Sequence, residues 1–186
     1  MRRAFLFLVV LVALAATAGA ALASAGRLSS PELQAVRAAV ARFHDYDQAK
    51  AAGYSADGEP CISSPAGAMG VHAPNQGLIR SGVLDPLKPQ ILLYEPKANG
   101  GKELVGVEYF QAALANTPDG PVPWFSPDAP PNGFVNRAPS LLGHRFDGPM
   151  AGHNPSMPWH YDLHVWVVQE NATGTFEQFN PAVTCP

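Results

Sequence analysis

Eight consecutive residues, Trp159-His160-Tyr161-Asp162-Leu163-His164-Val165-Trp166, constrain this chain more than any other stretch. Two imidazoles, one carboxylate and three aromatic rings sit in a segment whose β-branched and aromatic content marks a core strand. Buried polar groups at that density cost free energy unless each finds a partner, so they need a reason. Alternation places His160, Asp162, His164 and Trp166 on one face of the strand, with Tyr161, Leu163, Val165 and Val167 on the other. His160 and His164 are then about 13 Å apart at Cα, too far to share one ion, while Asp162 is about 6.6 Å from each. A helix would bring both imidazoles onto one turn, but Val165-Trp166-Val167-Val168 favours a strand.

Further ligands must come from elsewhere in the chain. His72, in Met69-Gly70-Val71-His72, is the best placed, because Gly70 allows close backbone approach. His153, in Gly152-His153-Asn154-Pro155, is next. Ile91 to Glu95 and Leu104 to Phe110 read as strands joined by an Asn-Gly turn. A turn at Ala98–Gly101 opposes Ile91 to Glu108 and Glu95 to Leu104, which puts both carboxylates on one face about 13 Å apart. That separation disfavours a glycosidase pair, which needs about 5–9.5 Å. Either carboxylate can still join His72 and His164.

The candidate metal set is therefore His72, His164, Asp162, Glu108, Glu95, His153 and His160, with Asp162 either a ligand or an orienting partner. Imidazole with carboxylate suits zinc, copper or iron rather than calcium or magnesium. Two other readings stay open. Tyr94, Tyr109 and Trp166 could line a metal-free pocket for a small apolar ligand. The histidines could also serve only to knit the core through hydrogen bonds. No G-x-S-x-G elbow, P-loop or dinucleotide glycine fingerprint occurs.

The N-terminus reads as an export signal. Arg2 and Arg3 precede an apolar core from Phe5 to Ala16, and Ala21-Leu22-Ala23 gives a small-x-small cleavage pattern. Thr17 and Gly19 interrupt the apolar run, which lacks charged stop-transfer flanks, so no stable membrane anchor is expected. Removing residues 1–23 from the 186 leaves 163, enough for a single domain over 24–186. It also takes two of the twelve Lys and Arg, so ten cations face fifteen carboxylates. That acidic balance argues against nucleic acid and leaves a metal ion or a small molecule as the expected partner. Cys61 and Cys185 are the only cysteines, and in a secreted or periplasmic protein they are expected to pair.

The fold expected is α+β, with an amphipathic helix over residues 30–52 packed on a small antiparallel sheet. Residues 112–158 carry ten of the nineteen prolines and little periodicity, and read as a structureless covering segment. Phe176 to Phe179 is a candidate short strand.

Met69-Gly70-Val71-His72, Leu93-Tyr94-Glu95-Pro96, Val105-Gly106-Val107-Glu108-Tyr109-Phe110, the His160 to Trp166 run, and Phe179-Asn180-Pro181 with Cys185 together resemble a group of small exported bacterial proteins with no assigned activity. The likeness spans the chain from about Arg42 onward. It implies a bacterial secreted or periplasmic setting and a single domain, and carries no catalytic residue or cofactor.

Overall fold

In a computed structural model describing residues 30–186, six antiparallel strands form one sheet. The expected leader, residues 1–23, lies outside the described residues. The strands are β1 (Cys61–Ser64), β2 (Gly67–Pro74), β3 (Ile91–Pro96), β4 (Lys102–Ala112), β9 (Asp147–Met150) and β10 (His160–Val165), in the order β1-β2-β3-β4-β10-β9. Two small hairpins stand apart from it, β5 (Leu114–Thr117) with β6 (Gly120–Pro123), and β7 (Ser140–Leu141) with β8 (His144–Arg145).

The helical segment begins as its sequence dictates. Ser30 caps α1 (Pro31–Val40) by accepting from the Leu33 amide, and Leu33, Val36 and Val40 are buried. One continuous helix to residue 52 does not form. The chain tightens to a 3-10 turn over Ala41–His44 and is extended at Asp45, which caps the separate helix α2 (Tyr46–Ala51). The reason is tertiary. The Tyr94 hydroxyl donates to the Phe43 carbonyl at 2.8 Å, and the Phe43 ring packs edge-on to Tyr54, so that turn belongs to the sheet. A third short helix, α3 (Gln76–Ser81), follows β2.

The two faces of the sheet differ in chemistry. On one, Val71, Leu92, Tyr94, Val107, Tyr109, Leu163 and Val165 meet Leu33, Val36, Val40 and Phe43 in a dry core. On the other, Ile91, Leu93, Phe110 and Trp166 join Ala68, Val105 and Val183 in a smaller cluster. The polar side chains of β2, β4 and β10 share this second face.

Register decides which residues those are. Ile91 opposes Glu108 as expected, but Glu95 opposes Glu103 rather than Leu104, because a bulge interrupts the β3–β4 ladder beside Leu93 and Tyr94. In β2, Gly70 has φ of +85° and brings its backbone against Tyr94, whose carbonyl oxygen would lie 2.5 Å from an added Cβ. Only glycine fits there, and this close approach sets His72 opposite Leu93.

Two further expectations are corrected. Residues 112–158 contain the two hairpins, and β9 pairs with β10 at the sheet edge. Phe176 to Phe179 forms turns rather than a strand, since the Trp166 amide and indole take the Thr175 and Glu177 carbonyls that a ladder would need. Cys61 and Cys185 form a disulfide. Among the described residues, no helix is long and apolar enough to cross a membrane.

Candidate metal centre

β4 and β10 pair so that Glu108 stands directly opposite His164, and Asp162 opposite Phe110. β2 lies two strands from β4, and there His72 shares their face. Three strands thus converge on Glu108. His72 Nε2 is 3.1 Å from Glu108 Oε2, and His164 Nε2 is 3.8 Å from the same oxygen. His164 Nδ1 faces Asp162 Oδ1 at 3.8 Å, and His160 Nε2 faces Asp162 Oδ2 at 3.6 Å. His153, from the loop after β9, sets its ring edge-on to His72 and His160, with centroids 5.4 and 6.0 Å away.

Burial makes these contacts unusual. Glu108, His160 and Asp162 are 0% exposed and His164 1%. Yet both oxygens of Glu108 and of Asp162, both nitrogens of His164, and the Nε2 atoms of His72 and His160 have no hydrogen-bond partner. His72 and Glu108 are near each other, but their lone pairs and N–H are not aligned for a hydrogen bond. A network whose purpose was structural would pair its members, because each buried unpaired polar group costs about 1–3 kcal/mol. These groups instead share a common space.

Two triads fill that space. Ligand atoms of His72, Glu108 and His164 lie within 4.8 Å of one another, and so do those of Glu108, His160 and Asp162. Bonds of 2.0–2.1 Å to a tetrahedral ion place ligand atoms about 3.3 Å apart, so closure needs side-chain shifts of about 1 Å. Two imidazoles and one carboxylate are the donors of several catalytic zinc sites and of non-haem iron sites with open positions.

Electrostatics follow from the same crowding. Burial alone would push the Glu108 carboxyl up, but the charges of His72 and His164 outweigh it and hold it down at about 2. Burial works against a charged His160, yet neighbouring Asp162 and Glu108 raise it above the ordinary imidazole value. His153 is lowered, first by burial and then by the His72 charge. Because Glu108 is depressed, its stabilising contribution is fully present above 4.5 and is lost as pH falls toward about 2. With a chelator present, the melting-temperature advantage of wild type over Glu108→Gln should shrink across that window. An advantage that stays constant from pH 5 to 2 would contradict the assignment.

Other candidates lie elsewhere. The Glu95 carboxylate accepts from the Thr184 amide and hydroxyl and pairs with Lys97 at 2.7 Å, at the end of the sheet near the disulfide. Tyr94 and Tyr109 belong to the helix-side core, where their hydroxyls donate to the Phe43 and Pro86 carbonyls. Trp166 is on the opposite face and donates to Glu177. The three aromatics therefore do not line one pocket. A cavity of about 100 Å³ exists instead beside His72 and His153, walled by Ile79, Ile91, Phe110 and Met157. Phe110 also stacks on the His160 ring at 5.0 Å. Phe110 is not among the sequence candidates, although its parity with Glu108 places it on this face.

Comparison of the chain with protein families, curated proteins and solved structures gives no match.

Proposed function

We propose that this protein is an exported, single-domain metalloprotein of the bacterial periplasm or exterior, akin to the small exported proteins its motifs resemble. It binds a first-row transition ion, zinc, copper or iron, through His72, Glu108 and His164. The observation that carries this reading is the convergence of three buried donors from three strands with no hydrogen bonds among them. The signal-like leader and the Cys61–Cys185 bridge support export.

Such a donor set leaves coordination positions for water or substrate. The cavity at His72 and His153 gives a small, largely apolar molecule a route to the ion. The end of the proline-rich segment, within residues 153–158, lines that cavity and supplies His153. The chemistry that fits is a metal-dependent hydrolytic or oxidative step, in which the ion polarises a bound oxygen. A second reading, a metal-free site for a small apolar ligand, is favoured only by the apolar walls of the same cavity.

Elemental analysis of the protein purified from the periplasm separates the two. Stoichiometric metal in wild type, lost from both His72→Ala and His164→Ala, is the expected result. Absence of metal, with a saturable thermal shift on adding small apolar compounds, supports the second reading and sinks the first.

A further inference from the structure

One ion at His72, Glu108 and His164 accounts for only part of the cluster. It leaves His160 Nε2, the second oxygen of Glu108 and both oxygens of Asp162 buried and unpaired. One hydrogen bond orients the His160 ring. Its Nδ1 lies 3.0 Å from the Pro158 carbonyl oxygen, which can only accept, so Nδ1 carries the proton. A backbone carbonyl holding one ring nitrogen of a histidine is how proteins fix the tautomer that presents Nε2 to a metal. Nε2 then faces Asp162 Oδ2 at 3.6 Å, with no hydrogen bond between them. A metal ion between them would give both atoms the partner they lack. A lone proton would be held in a short charge-assisted hydrogen bond, about 2.7–2.9 Å, and that geometry is not present.

Resting on the metal reading of the first triad, we propose that the site is dinuclear: Glu108 bridges two transition-metal ions, the second held by His160 and Asp162. The two triads share Glu108 and no other residue, so its two oxygens can serve one ion each. Carboxylate-bridged pairs stand about 3.5–4 Å apart, a spacing that clamps a substrate oxygen between two Lewis acids. His153 stands edge-on to both His72 and His160, and is the one imidazole placed to complete either position. The separation along β10 that keeps His160 and His164 from sharing an ion assigns them to different ions. Phe110, stacked on His160 and walling the cavity, places the second ion on the side where a ligand would enter.

The test titrates metal-free protein, disulfide intact, with Zn(II), and in parallel with Cu(II) followed by electron paramagnetic resonance. Wild type should bind two equivalents. His160→Ala and Asp162→Asn should each bind one, with affinity for that ion within about tenfold of the first wild-type event. The first Cu(II) equivalent should give an isolated signal, and the second should diminish it through coupling at short range. This readout needs only wild type, should a variant fail to fold. One equivalent in wild type, or two uncoupled Cu(II) signals, overturns the second position while leaving the first triad standing. No binding at all overturns both.

Discussion

Glu108→Gln should abolish metal loading while leaving the secondary structure unchanged. The substitution is nearly isosteric, but an amide lacks the charge and one of the two oxygens of the carboxylate that both triads share. Its effect is largest where metal is plentiful. An ion present at about 1,000 times its dissociation constant stabilises the native state by about 4 kcal/mol. For a protein of this size that corresponds to a melting-temperature rise of about 8–16 °C. Wild type should show that rise with Zn(II), and Glu108→Gln should show almost none. The conservative Glu108→Asp should recover part of it, since it restores charge at a shorter reach. If Glu108→Gln gained the same thermal shift as wild type, Glu108 would not be a ligand and the convergence of three strands on it would have another cause. Circular dichroism of each variant separates lost ligation from lost fold.

How far the site could be read from residues alone depends on the range of each contact. Alternation within β10 places His160, Asp162 and His164 together, because side-chain direction in a strand is a local property. Glu108 pairs with Ile91 through a short hairpin, but it joins the β10 residues only through the long-range β4–β10 ladder that sets it opposite His164. His72 is different. Gly70 signals a close backbone approach, but that Tyr94 is the group approaching, and that β2 lies beside β3, are not encoded near position 72. Long-range contacts also explain the misreadings. The helix breaks at Asp45 because a hydroxyl 51 residues away takes the Phe43 carbonyl. Glu95 leaves the candidate set because one bulge shifts its register and the C-terminal Thr184 binds it. Tyr94 and Tyr109 follow strand parity onto the helix side, where aromatic content alone would not send them. Period-2 patterning thus fixed faces well, while bulges, edge strands and tertiary hydrogen bonds required the fold.

Loss of the Cys61–Cys185 bridge should lower stability sharply without removing the metal site. The cysteines are separated by 124 positions, so the bridge closes most of the described chain into one loop. Constraining an unfolded chain of that length is worth about 4–5 kcal/mol on the chain-entropy account. The double variant Cys61→Ser/Cys185→Ser should therefore melt about 8–20 °C lower, and wild type treated with reductant should unfold at a correspondingly lower urea concentration. The site should survive because its donors sit on β2, β4 and β10, whereas Cys61 belongs to β1 at the sheet edge. Other ties hold the C-terminal segment to the sheet: Ala68 and Asn180 exchange backbone hydrogen bonds, and Thr184 binds Glu95. In the folded double variant, the affinity for Zn(II) should stay within about tenfold of wild type. Unchanged urea sensitivity on reduction would mean that these remaining ties, and not the covalent bridge, restrain the chain. A collapse of metal affinity in protein that is still folded would mean that β1 positions His72 through its pairing with β2, and the site would then extend to the sheet edge.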